Sequence, residues 1–220
     1  QDPENSLPLP RPPQYDPDAY QILLDGMQQG EIDELDDIIR GPIRPLPNGK
    51  ADFNDRKGSK MSIKLCNETD VWPEANAEVR KMIWQKAKDH ALGLFYFLQQ
   101  DERVLPAIRE EMRRWNLPKD EFTTYGHWPP LLYVREGRRM VGTEVFTQHH
   151  AQQEKGSTRA PSFEDAIAIG DYSLNGHGTY YSCPCENPSL EGNLSAPSRP
   201  FQVPFPVILP QKVEGLLVPV

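Results

Sequence analysis

Tyr133-Val-Arg-Glu-Gly-Arg-Arg-Met-Val-Gly142, reached through Gly126-His-Trp-Pro-Pro130, is where the hydrophobic period of this chain changes. Upstream, apolar residues recur every three or four positions, as on one face of a helix; from Leu131 onward they alternate, as along a strand. Helices first and strands later predict an α+β fold with helices packed on a mainly antiparallel sheet. In a strand over 131–139, Leu131, Tyr133, Arg135, Gly137 and Arg139 share one face, and Leu132, Val134, Glu136, Arg138 and Met140 the other. Arg135 and Arg139 then converge on one side, with Gly137 leaving room between them. Guanidinium groups grip a carboxylate or phosphate by paired hydrogen bonds, so this pair is a candidate substrate grip. The same spacing also lets Glu136 pair with Arg138 while the other two arginines stay solvated. The residues alone leave both readings open.

Working upstream, the residues through Pro13 are proline-rich and extended. Asp16-Pro17 forms an N-cap with proline at the first helical position, and Tyr20, Leu23, Leu24 and Met27 mark the helix that follows. Gly30 ends it, and Ile32, Leu35 and Ile39 predict a second short helix with an acidic outer face. The Pro, Gly, Asn and Asp content of 41–58 reads as a surface loop. A long helix is predicted from Pro73 to Gln100, roughly 40 Å at 1.5 Å per residue. Its stripe is Val79, Met82, Ile83, Ala87, Ala91, Leu94, Phe97 and Leu98, with His90 as a packed residue at the border. Another helix turns Ile108, Met112 and Trp115 inward, pairs Glu110 with Arg114, and ends at Pro118. Downstream, strands are expected at 141–146, 166–169, 179–182 and 202–209, the last kept to a sheet edge by Pro204 and Pro206.

With 220 residues the chain can bury one ordinary core, yet 37% apolar content and 23 prolines predict much irregular structure. A net charge of −8 argues against sequence-independent nucleic-acid binding, which needs clustered positive charge. No apolar run is long enough for a transmembrane helix, and the compartment is not legible. Cys183-Pro-Cys185 lacks the C-x-x-C spacing of redox and zinc motifs, and Cys66 is distant; a zinc site borrowing His177 would lack an evident fourth ligand. Asn67-Glu-Thr69 and Asn193-Leu-Ser195 match the glycosylation sequon, which chance supplies often.

Tyr133 to Gly142 resembles the YVRE-x-RRM-x-G signature of a family of FAD-dependent oxidoreductases, large flavoproteins related to the glutathione-reductase and fumarate-reductase class. Other segments fit the resemblance in order: Asp2-Pro-Glu-Asn5, Tyr15-Asp-Pro-Asp-Ala-Tyr20, Leu46-Pro-Asn-Gly-Lys50, Met112-Arg-Arg-Trp115 and Leu117-Pro-Lys-Asp-Glu-Phe122. Gly126-His-Trp-Pro-Pro130, Ile169-Gly-Asp-Tyr172 with His177, and Leu216-Leu-Val-Pro-Val220 complete it. The resemblance spans nearly the whole chain and implies a substrate-binding domain inserted in the Rossmann-type FAD domain of a two-domain flavoprotein. No G-x-G-x-x-G run is present to meet a pyrophosphate, so the FAD-binding segments are expected to lie outside these residues. The expectation is a central excerpt, a substrate-binding domain over 1–220. It comprises a proline-rich wrap with two short helices (1–60), a helical part (61–118) and a strand-rich part (119–220). Alone it should be flavin-free and inactive.

The resemblance implies that FAD carries the redox chemistry of the complete protein while this domain holds a small-molecule substrate. Arg135 and Arg139 are the substrate-binding candidates. His127, in a loop stiffened by two prolines, is a candidate acid or base. Tyr172 and His177 form a second catalytic constellation, a pair suited to polarising a hydroxyl or carbonyl, and the surrounding glycines admit a ring. Similar proteins carry an acidic residue two positions before that histidine; here Asn175 stands there, and an amide cannot stabilise an imidazolium as a carboxylate does. Gly137 stands where alanine is common. Two other functions fit the residues: a non-catalytic module binding an anionic ligand or carbohydrate, and a zinc-stapled interaction domain using Cys183, Cys185 and His177.

Overall fold

The computed structural model describes residues 3–41, 45–56, 58–65, 68–134, 138–153, 155–177, 193–196 and 200–218. They fall into two compact units, one ending at Val134 and the other holding the described residues from Arg138 onward. The architecture is α+β, as expected, with short antiparallel ladders beside a few helices.

The first unit begins with β1 (Ser6–Leu7) and a proline-rich run to a single 3-10 turn at Pro17–Tyr20. The Asp16 side chain accepts the Asp18 N–H there, as its N-cap position predicts. Helix α1 (Gln21–Gln28) follows and ends at Gly30, whose φ of 70° is the left-handed conformation glycine takes without strain. The expected second helix is absent. In its place Leu35–Asp37 makes one 3-10 turn, and Ile39–Arg40 becomes β2, paired with β5 (Asn54–Asp55). The cause is local: the Asp37 carboxylate accepts the N–H groups of Asp33 and Glu34, which closes the turn on itself. Between β2 and β5, β3 (Pro45–Leu46) and β4 (Lys50–Ala51) form a small hairpin.

Helix α2 (Ala77–Gln100) starts four residues after Pro73 because Asn76 caps it, its side chain accepting the Val79 N–H at 2.9 Å. Ile83, Leu94, Phe97 and Leu98 of the predicted stripe are buried, whereas Met82 is 57% exposed on the outer side. His90 is packed as expected, one ring nitrogen 2.9 Å from the Ser62 carbonyl. Helix α3 (Pro106–Met112) stops earlier than predicted. The buried Gln99 amide of α2 donates to the carbonyls of Met112 and Trp115, satisfying acceptors that a longer helix would have used itself. The released chain then forms β6 (Leu117–Pro118), which pairs with β1. One core results, in which α1, the Leu35 turn, α2 and α3 bury Leu23, Ile32, Ile38, Leu94, Phe97 and Ile108 together. Tyr20 stacks on Phe97 with ring centroids 4.6 Å apart, and burial pushes its phenol well above the ordinary tyrosine range.

In the second unit, α4 (Gln148–Ala151) precedes two ladders: β7 (Ala166–Gly170) with β10 (Phe201–Pro204), and β8 (Leu174–His177) with β9 (Asn193–Ala196). Phe146, His150, Phe163 and Phe201 pack ring against ring beside them. The predicted strand over 131–139 is not found: its described residues, 131–134 and 138–139, lie outside any strand, and Leu131 is 87% exposed. Alternation of residue type made that prediction, but a strand also needs a partner edge, and no described segment pairs with it. Arg135, Glu136 and Gly137 lie outside the described residues.

Over 141–146 the ladder shrinks to one bridge between Gly142 and Pro210. The 202–209 strand stops at Pro204, where the register shifts, and Phe205–Ile208 turns as a 3-10 helix. The expected strand at 179–182 lies outside the described residues. Among the described residues every ladder is two-stranded, so the single sheet of the expectation becomes five separate pairs. Prolines at 45, 118 and 204 sit inside these strands and offer no N–H for a further neighbour.

Candidate functional site

A cleft of about 500 Å³ opens in the first unit between the β3–β4 hairpin, the end of α3 and the loop that follows β6. That volume lies within the usual range of small-molecule sites. Five of the segments that carry the family resemblance supply its walls: Asn5, the Leu46–Lys50 turn, Met112 with Trp115, Leu117–Phe122 and the His127 loop. They are distant in sequence and meet because β1 pairs with β6 and the hairpin lies alongside.

Lys50 is the hub. Its Nζ lies 2.9 Å from Asp120 Oδ2 and 2.5 Å from Glu121 Oε1, and its side chain is only 17% exposed. Asn5 Nδ2 donates to the other Asp120 oxygen at 2.8 Å, and the Lys119 N–H donates to the Asn5 carbonyl at 3.0 Å. The Asn5 amide, and then Lys50, hold the Asp120 carboxyl below the usual carboxylate range. Glu121 first and Asp120 second raise the Lys50 ammonium above its ordinary value. Replacing Asn5 by alanine should therefore move the Asp120 titration up toward the ordinary carboxylate value of about 3.9. A carboxylate depressed in the folded state stabilises the fold above its unfolded pKa, and that contribution is lost as pH falls through the folded value. The Asn5→Ala variant should accordingly lose stability less steeply over the last stretch of acid titration. Carboxyl chemical shifts followed against pH would check this, and an unmoved Asp120 would contradict the Asn5 contact.

The loop after β6 carries the second half of the site. Phe122, Gly126 and His127 all have positive φ, at 49°, 66° and 61°. Left-handed conformations for a phenylalanine and a histidine cost of the order of 1–3 kcal/mol each and persist only when neighbours fix them. Here the Phe122 carbonyl accepts the N–H groups of Tyr125 and His127, at 2.8 Å and 3.0 Å. His127 Nδ1 lies 3.2 Å from the Pro118 carbonyl and 3.1 Å from that of Glu121. Both partners only accept, which assigns the proton to Nδ1 and leaves the Nε2 lone pair available. Nε2 has no hydrogen bond among the described residues, and His127 lines the cleft. Its neighbour Trp128 is held from α2, where the Lys88 ammonium lies 5.9 Å from the Trp128 ring and 5.4 Å from that of Trp84.

Of the residues singled out in the sequence, His127 is thus brought into a cleft beside Asn5, Lys50, Asp120 and Glu121. Arg139 and Tyr172 are exposed residues of the second unit, Tyr172 75% so. Arg135 and the side chain of His177 lie outside the described residues, as do those of Cys183 and Cys185. The ion triad went unnoticed in the sequence, although Lys50 closes one quoted motif and Asp120-Glu121 lie inside another. Among the described residues no group of histidine, cysteine and carboxylate side chains could hold a metal ion, and no helix is long and apolar enough to cross a membrane.

A family model described as FAD dependent oxidoreductase matches residues 1–220. No curated protein and no solved structure matches the chain. FAD is that family's cofactor in the complete protein. A dinucleotide pyrophosphate needs bare N–H groups at a helix N-terminus. At α2, however, the Asn76 cap already binds the Val79 N–H and Glu78 puts a negative charge in the first turn, while Asp16 and Asp18 do the same before α1. The described residues do not fit the pyrophosphate.

Proposed function

This chain belongs to the FAD dependent oxidoreductase family, and from that premise we propose that it is the substrate-binding part of the enzyme, with the His127 cleft as the seat of a small-molecule substrate. When bound, FAD supplies the hydride acceptor. This chain's own contribution is to hold the substrate and to take the proton from the hydroxyl that is oxidised, at His127 Nε2.

The supporting observation is the fixed imidazole: a strained loop and two carbonyls set its tautomer, so that its basic nitrogen is the one left for a ligand. A neutral imidazole placed this way accepts a proton without reorganising. Lys50, clamped between two carboxylates, keeps the polar end of the cleft in one arrangement. Arg135 and Arg139 are proposed to hold an anionic or polyhydroxylated group, and Tyr172 with His177 to polarise a hydroxyl or carbonyl. The sequence pattern and the family resemblance support these two assignments.

The test is the visible spectrum of the purified complete protein, before and after a mild reductant is added. A flavin band that bleaches is the expected result. A colourless, folded protein that takes up no added FAD would overturn the oxidoreductase reading and favour a non-catalytic binding module.

A further inference from the structure

We infer that the His127 cleft takes a neutral polyhydroxylated ligand, a sugar or polyol, in preference to a carboxylate or phosphate; this deepens the reading of the cleft as a substrate seat and rests on it. The charge arrangement supports this first. The cleft's lysine is already neutralised by Asp120 and Glu121, and its arginine, Arg114, is engaged as well. An anion entering beside Lys50 would meet the Asp120 and Glu121 carboxylates that already hold its ammonium, a local repulsion. A hydroxyl meets no such penalty. It donates to a carboxylate oxygen and accepts from an ammonium, so vicinal hydroxyls can join the existing triad without breaking it.

The remaining lining has the same character. Asn48 and Asn116 are exposed on the rim, and their side-chain amides make no hydrogen bond among the described residues. Each presents a donor and an acceptor, the pairing that a hydroxyl uses. The rings of Phe53, Phe95, Trp115 and Trp128 line the same cleft. Phe53 meets Trp115 edge-on at 5.2 Å, which fixes a rigid apolar wall against which the C–H face of a sugar ring can lie. Aromatic faces beside polar groups that both donate and accept suit a molecule with one apolar face and a hydroxylated rim.

The experiment measures binding rather than turnover. The complete protein is titrated with methyl glucoside and sorbitol, and separately with glucuronate and glucose 6-phosphate. Binding is followed by the fluorescence of the tryptophans, of which Trp115 and Trp128 line the cleft. Saturable binding of a neutral probe at least tenfold tighter than its anionic counterpart is expected. Asn116→Ala should weaken it about threefold to tenfold, and Glu121→Gln should narrow the gap between neutral and anionic probes. Anionic probes that bind as tightly as neutral ones, or neutral probes that do not bind, would overturn the inference. Neutral binding untouched by both substitutions would place it outside the cleft and overturn it too. The seat reading fails separately: turnover indifferent to His127 would sink that reading, whereas an anion preference combined with His127-dependent turnover would sink only the choice of ligand class.

Discussion

Turnover of the complete protein should fall about a hundred- to ten-thousandfold when His127 is replaced by asparagine, with little change in melting temperature. Asparagine is the informative replacement because position 127 has a φ of 61°, a conformation asparagine accepts more readily than almost any other residue with a side chain. Its amide N–H can still donate toward the carbonyls of Pro118 or Glu121, so the loop keeps the contact that holds it. What disappears is the basic nitrogen. A loss confined to kcat with KM nearly unchanged identifies an interaction made in the transition state, as a base requires. If kcat stays within a few-fold of wild type in a folded variant, His127 is a structural residue of the loop and the proton goes elsewhere.

A second large effect concerns the core behind the cleft. Gly93 lies in the middle of α2, where alanine would ordinarily add about 1 kcal/mol of helix stability. Here a Cβ would come within 2.3 Å of the Tyr20 hydroxyl. That ring cannot swing aside, being stacked on Phe97 at 4.6 Å and on Tyr15 at 5.9 Å. Gly93→Ala should therefore destabilise the protein by about 1–3 kcal/mol, the usual cost of an overpacked core. The cause is a single oxygen, since the next nearest atom of the ring lies 3.6 Å from the added carbon, an ordinary contact. Tyr20→Phe should thus restore most of the loss when combined with Gly93→Ala, a strong non-additivity that denaturant midpoints of the four variants would show. A stable Gly93→Ala single variant, or a double variant no better than the single, would mean that α2 does not press on Tyr20 in this way.

The parts of the fold legible in the sequence were those governed by neighbours a few residues apart. Asp16-Pro17 announced a helical start, Gly30 an end, and the Ile83, Leu94, Phe97 and Leu98 stripe the long helix, because capping and burial periodicity are written locally. Two expectations failed where a side chain made a hydrogen bond that the spacing of apolar residues does not report. Asp37 closed on Asp33 and Glu34 and stopped a helix that the spacing of Ile32, Leu35 and Ile39 had predicted. Gln99, on another helix, captured the carbonyls of Met112 and Trp115 and shortened α3. The strand expected over 131–139 shows the same limit from the other side: alternation was present in the residues, but ladder hydrogen bonds belong to a pair of segments.

The site divides similarly. His127 was a candidate from its type and its stiff loop, whereas its ring contacts depend on carbonyls at 118 and 121 and on a positive φ that no spacing reveals. The Asn5, Lys50, Asp120 and Glu121 network joins residues up to 115 positions apart, so only the family motifs containing them hinted at the meeting.

The cleft as the seat of oxidation is tested most directly by a single turnover without oxygen, in wild-type protein and in His127→Asn side by side. Each is mixed with the same substrate while the flavin band and the tryptophan fluorescence are recorded together. The account predicts equal substrate affinity by fluorescence, and flavin bleaching in the variant at about a hundredth of the wild-type rate or less. Equal bleaching rates in the two proteins would contradict it.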